Sequence, residues 1–448
     1  MTQLSRRNML KLAALATGSQ ALGLHSLGAL PAMAQTVSAN DYKALVCIFL
    51  VGGNDSNNLL IPADPSSFQA YQTIRGALAL PQENLLSLGS NASVMLNAAM
   101  PNLQNMYQAG TAALVTNVGP LVQNMTRAQY LSGSMPVPFA LFSHRDQQIG
   151  WQSANPATET GLGWAGLAAD QLGQNAGGSL PSVISVGGNP VFMYGQKTTG
   201  LSVLSTTTSF APECGMPSNA CAARIDAAQQ LLSLDSGAML IQADNTIASN
   251  AYGYFSDLSY AMKAAPSLKT IFPANPLATQ LYQIAKIMSV RSSIGANRQI
   301  FFASFGSFDT HTGQLQAQTK LLGQLDSAIA AFQQAMEELN LSEQVTAFSM
   351  SDFSRAMVPN SAGGTDHAWG GHQFVLGGAV KGGRMYGSMP TMLLGGPDDS
   401  TNDGRWIPTI SASQYTATLA NWFGIPTANM ASVVPNIGNF AIRNLGFV

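Results

Sequence analysis

Ala44 to Val51 reads ALVCIFLV, eight apolar residues with no polar interruption, and Gly-Gly-Asn-Asp follows at once. A strand with one wet face alternates apolar and polar residues, so an unbroken run reads as a strand buried on both faces. Gly52 and Gly53 let the chain turn tightly at its end and leave Asp55 just past it. A doubly buried strand needs packed layers on both of its sides.

The rest of the chain repeats that pattern. PNLQNMYQAGTAALVTNVG predicts a helix, a break at Gly110 and a strand near 112–115, and PSVISVGG predicts another short buried strand. RQIFFASFGSFDTH predicts a strand with polar residues at its carboxyl end. Leu322, Leu325, Ile329, Phe332, Met336 and Leu339 recur at spacings of three and four, which predicts a helix ending near Asn340. QVTAFSMSDF is the next strand. Alternating strand and helix predicts an α/β fold with a mostly parallel sheet, whose ligand site lies beyond the carboxyl ends of the strands. Residues 199–274, rich in Ser, Thr, Ala and Asn, read as an insertion or helical cap.

Residues 1–34 stand apart. SRRNMLK, a mildly apolar stretch and AMA at Ala32 to Ala34 form a charged start, an apolar middle and a small-residue cleavage site. The Arg6–Arg7 pair resembles a twin-arginine export signal, with Met9 where such signals usually carry Phe. The expected partner during export is the twin-arginine translocase, and the expected destination is the periplasm or the cell exterior. Gly18, Ser19, Gln20 and His25 break the apolar stretch, so no stable membrane span is expected after cleavage. Cys214 and Cys221 bracket a short loop that can close as a disulfide in an oxidising compartment or hold two free thiols, and Cys47 reads as a buried strand residue. No basic run with interleaved aromatics is present, which argues against nucleic acid as a partner.

Charge is scarce, at 9% of residues, and only five histidines occur. His25 falls in the leader; the other four each stand close to an aspartate. His144 lies in FSHRDQ, and Asp309 and His311 lie two apart in FDTH at a strand end. Asp352 ends a strand, and Asp366, His367 and His372 share a loop with Gly363, Gly364, Gly370 and Gly371. Imidazole with carboxylate suits a divalent cation, zinc or manganese first. The candidate ligands are Asp55, Asp309, His311, Asp352, Asp366, His367 and His372. Ser143 is a candidate nucleophile with Arg145 beside it to hold an anion; Ser351, Thr365 and a water are alternatives. No G-x-S-x-G elbow occurs, which weakens an esterase reading.

FLVGGNDSNNLLIP, LFSHRDQQIGW, SFDTHTGQ, SDFSRAMVPNSAGGTDHAWGGHQFVLGGAVKGGRMYG and SQYTATLANWFGI stand in an order that resembles family 1501 of the domains of unknown function. That bacterial family is commonly exported by twin-arginine signals and is similar to the alkaline phosphatase and sulfatase superfamily. The resemblance implies a three-layer α/β/α sandwich over residues 35–448, with a one- or two-metal site at the strand ends. It implies metal roles for Asp55, Asp309 and His311, with His372 or His367 closing the set. Where the superfamily carries Asp-His after a strand, this chain has Asp352 and Phe353. The expected activity is metal-dependent hydrolysis of a small anionic phosphate or sulfate ester. The departure at Phe353 favours, as the alternative, a non-catalytic metal-stabilised binding protein on the same fold.

Overall fold

The computed structural model describes residues 41–89, 92–173, 176–205, 218–234 and 237–448. Residues 1–34, read from the sequence as an export leader, and Cys214 lie outside the described residues. Ala39–Val448 forms one compact unit.

The described strands, in chain order, are β1 (Lys43–Leu50), β2 (Leu60–Pro62), β3 (Leu85–Ser87), β4 (Val94–Asn97), β5 (Ala112–Gly119), β6 (Val183–Ser185), β7 (Leu201–Ser202), β8 (Arg298–Phe305), β9 (Val345–Ser351), β10 (Gly371–Leu376), β11 (Arg384–Tyr386) and β12 (Ile410–Ser411). Nine of these form one sheet in the order β11-β5-β10-β9-β1-β8-β6-β7, with β12 against β5; β2, β4 and β3 form a small antiparallel sheet. The apolar run Ala44–Val51 is thus the centre of the large sheet, parallel to β8 on one side and β9 on the other. Pairing with β10 is antiparallel on both its sides, and the remaining pairs are parallel.

Both faces of β1 are covered, as its unbroken apolar sequence requires. Ala44, Val46, Ile48 and Leu50 join a core with Leu103 and Tyr107 of the Pro101–Gln108 helix, Leu281 and Ile284 of the Pro276–Ser289 helix, and Leu322, Leu325, Ile329, Phe332 and Met336 of the Gln314–Glu338 helix. Leu45, Cys47 and Phe49 join the opposite core with Trp164 and Ala168 of the Trp164–Leu172 helix and Tyr415 and Leu419 of the Ala412–Phe423 helix. The result is three layers, helices on either side of a mostly parallel sheet. Residues 218–232 and 239–262, in the stretch read as an insertion, are helices. Cys47 is buried and free, and Cys221 is disulfide-bonded. Among the described residues, no helix is long and apolar enough to cross a membrane.

Register explains what gathers at the carboxyl edge. Leu50 sits opposite Phe305 on one side and Ser351 on the other, so the chain leaves β1, β8 and β9 at one place. Because β10 runs the other way, its start lies at that same edge, and the loop carrying Asp366 and His367 is delivered there.

Candidate metal centre

The loops pack closely enough that Gly52 and Gly53 are required. Both have positive φ, at 111° and 84°, and a Cβ on Gly52 would meet the Asp309 backbone nitrogen at 2.5 Å. A Cβ on Gly53 would meet the Phe353 ring at 2.5 Å. Arg355, buried, ties the loops together. It donates through Nε to the Gly53 carbonyl at 3.0 Å, through Nη2 to Gly52 at 2.7 Å and Phe308 at 3.1 Å, and through Nη1 to Thr365 at 2.9 Å. Nη2 also donates to Asp309 Oδ1.

Three histidines surround that same Asp309 oxygen. His311 Nε2 lies 3.0 Å from it, His367 Nε2 3.4 Å and His144 Nε2 3.5 Å, and the two nitrogens of His311 and His367 are 3.0 Å apart. The donor atoms of His144, Asp309 and His367 lie mutually within 4.8 Å, the geometry of a group able to share one cation. Each imidazole is held at its other nitrogen by an oxygen. His144 Nδ1 meets Asp352 Oδ2 at 2.7 Å, His367 Nδ1 meets the Phe142 carbonyl at 2.9 Å, and His311 Nδ1 meets Asp366 Oδ1 at 3.3 Å. With the ring proton on Nδ1 of a neutral imidazole, each Nε2 turns its lone pair toward that carboxylate oxygen, and His311 Nε2 also lies 3.5 Å from Arg355 Nη1. His144 Nε2 is buried without a hydrogen-bond partner.

Lone pairs facing a carboxylate repel unless a cation lies between them. Donors bound to zinc at 2.0–2.1 Å in a tetrahedron stand about 3.3 Å apart, close to the separations here. Two imidazoles, each oriented from behind by an oxygen, and one carboxylate held by Arg355 are a donor set that fits a divalent cation. Asp352 acts from behind. Its Oδ1 accepts from the Gly52 N–H at 3.1 Å and its Oδ2 from Gln148 Nε2 at 2.9 Å as well as His144. That hydrogen bond raises the His144 pKa above its ordinary value against the opposing effect of burial. Burial lowers the His367 pKa. Burial raises that of Asp309, but Arg355 outweighs it, with His144 and His311 adding to the effect, and leaves the carboxyl below its ordinary value. Phe353 floors the site, stacked on His367 at 4.6 Å and packed on His144 at 4.8 Å between ring centroids.

Of the residues singled out in the sequence, the structure brings Asp309, His311 and His367 together and places the others around or away from them. Asp55 is buried with Arg75, which donates to its Oδ2 along with Gln314 Nε2, while its Oδ1 is buried without a hydrogen-bond partner. His372 lies inside β10, where Nδ1 accepts from the Asn117 N–H at 3.1 Å, and burial drives its pKa down to about 3. Asp352 and Asp366 are at the cluster but hold histidines from behind. Ser143 is the N-cap of the His144–Ser153 helix and makes no side-chain cap bond. Arg145 is 68% exposed and paired with Glu159 and Asp146. Sequence reasoning did not place His144 among the ligands: the aspartate beside it in sequence is Asp146, whereas the ones it meets are 165 or more positions away, and no local pattern marks such a pair.

Residues 194–401 match the model of the family described as "Protein of unknown function (DUF1501)", a span that holds Asp309, His311, Asp352 and His367. No curated protein matches the chain. Similar solved structures include Ps i-CgsB in complex with k-i-k-neocarrahexaose, at 10% identity and TM-score 0.36, covering 90% of this chain and 77% of that one. The lipoteichoic acid synthase LtaP from Listeria monocytogenes is similar at 10% identity and TM-score 0.34, covering 86% and 72%. The PsFucS1 sulfatase from Pseudoalteromonas sp. is similar at 9% identity and TM-score 0.35, covering 86% and 68%.

Proposed function

We propose that the protein is an exported, metal-dependent hydrolase of a phosphate or sulfate ester. The observation that carries this reading is the convergence of three Nε2 atoms on Asp309 Oδ1 at an accessible edge of the sheet. Asp309 is 46% and His311 41% exposed, whereas a purely structural zinc site is closed by its four protein ligands. His144, Asp309 and His367 would hold zinc or manganese, with His311 beside them, and the ion would supply Lewis-acid stabilisation of the anionic ester. Asp352 and Gln148 fix the His144 ring, the Phe142 carbonyl fixes His367, and Phe353 keeps water from beneath both rings. Ser143, not spent on capping its helix and next to ligand His144, is the residue we assign to attack the ester. The net reaction adds water across the ester bond and returns an alcohol and an inorganic oxyanion. Export by the twin-arginine translocase belongs to the same proposal, and a disulfide at Cys221 suits an oxidising compartment.

The test is hydrolysis of a panel of aryl phosphates and sulfates by the purified mature protein, with metal measured by elemental analysis before and after chelation. Turnover that follows metal content and is lost in Ser143→Ala supports the assignment. Bound metal without turnover of any ester would favour the second reading, a metal-stabilised binding protein. That reading has its own support: Arg145 is turned to Glu159, and Arg355 is committed to carbonyls and Asp309.

A further inference from the structure

We infer that Arg405 is the residue that would receive the phosphate or sulfate group of the substrate. The inference rests on the ester reading, which leaves a gap: an oxyanion needs a cation beside the metal, and neither Arg145 nor Arg355 is free to be one. Arg127 is also spent, on the carbonyls of Asp399 and Thr401 and on Asn402.

Arg405 differs. Its guanidinium lies over the Phe142 ring, 5.1 Å from the centroid. Phe142 is the residue whose carbonyl holds ligand His367 at 2.9 Å, and it directly precedes Ser143 and His144. Stacking leaves the guanidinium's edge, with its N–H donors, free to meet an oxyanion. The Nε–H is buried and has no hydrogen-bond partner, an uncommitted donor where buried donors are almost always paired. The ion-pair partner of the group is Asp403, at 3.8 Å from Nη2 and 54% exposed, too far for a hydrogen bond. Phe142 holds this position with φ of 75°, a left-handed conformation that a bulky residue adopts only where its surroundings enforce it. Phe142 thus touches both groups, its carbonyl meeting His367 Nδ1 and its ring lying under the Arg405 guanidinium. A tetrahedral oxyanion accepts the parallel N–H donors of a guanidinium better than those of a point-charge ammonium.

The experiment is calorimetric titration of the metal-loaded protein with inorganic phosphate and with inorganic sulfate. Wild type, Arg405→Ala, Arg405→Lys and Asp403→Asn are compared, each checked for metal content and melting temperature. The expected result is about a tenfold or greater loss of anion affinity in Arg405→Ala, a smaller loss in Arg405→Lys, and tighter binding in Asp403→Asn, with metal content unchanged. Wild-type affinity in a folded Arg405→Ala or Arg405→Lys protein would overturn the role of Arg405 and leave the ester reading standing. A metal-loaded wild type that binds neither anion would overturn the ester reading and this inference with it.

Discussion

The pairing of buried Asp55 with Arg75, in place of a metal, can be tested quantitatively. Asp55 and Arg75 are both fully buried, and Arg75 also donates to Asn58 Oδ1 at 3.2 Å and to the carbonyls of Ala356 and Met357 at 2.8 and 3.1 Å. Arg75→Met removes one charge and leaves the other without its main partner, a change that typically costs about 3–5 kcal/mol. For a unit of about 410 residues, an unfolding entropy of about 2.1 cal/mol/K per residue gives roughly 0.9 kcal/mol/K, so the melting temperature should fall by about 3–6 °C. Asp55→Asn should destabilise in the same direction, and the double variant should recover part of the loss because no lone charge stays buried. Bound metal per folded chain should be unchanged in all three, read by elemental analysis beside calorimetric melting. If Asp55→Asn sheds metal while Arg75→Met melts with the wild type, Asp55 is a ligand and the ion-pair reasoning is wrong.

Other outcomes follow from the same geometry. His144→Ala and His367→Ala should each lose bound metal, whereas His372→Asn should keep it; equal loss in all three would disperse the proposed ligand set. Asp352→Asn should weaken metal binding by about 10–100-fold without abolishing it, since it orients His144 from behind; a wild-type affinity by competition with a chromophoric chelator would remove that role. His372 contributes a pH dependence of stability. Its folded pKa, near 3, lies below the ordinary 6.5, so the unfolded chain takes up the proton first, and stability is present above pH 6.5 and declines as pH falls toward 3. The decline attributable to this group is about 1.4 kcal/mol per pH unit. Urea midpoints between pH 6.5 and 4 should therefore fall more steeply in wild type than in His372→Asn, whose amide oxygen can still accept the Asn117 N–H; parallel curves would show that His372 does not carry the effect.

The layer architecture was legible because each part of it is a local requirement. Ala44–Val51 has no face to show to water, and the residues from Leu322 to Met336 repeat every three or four positions, so strand and helix follow from the residues themselves. The site was legible only in composition. FDTH and the His367 loop are short-range clusters, and the structure brings both to the same edge. What decided which carboxylates face the histidine cluster was long-range pairing. Asp55 and Asp352 both follow buried strands and look alike in sequence, yet Arg75 claims one and His144 the other. The same holds for histidine: His367 precedes β10 and reaches the edge, while His372, five residues on, is already inside the strand and faces Asn117. The Phe353 ring lies against His144 and His367 as apolar surface, so it contributes packing and no donor to the cluster. With Asp55, Asp352 and His372 engaged elsewhere, the residues left at the edge are enough for one cation: His144, Asp309 and His367, with His311 at their side.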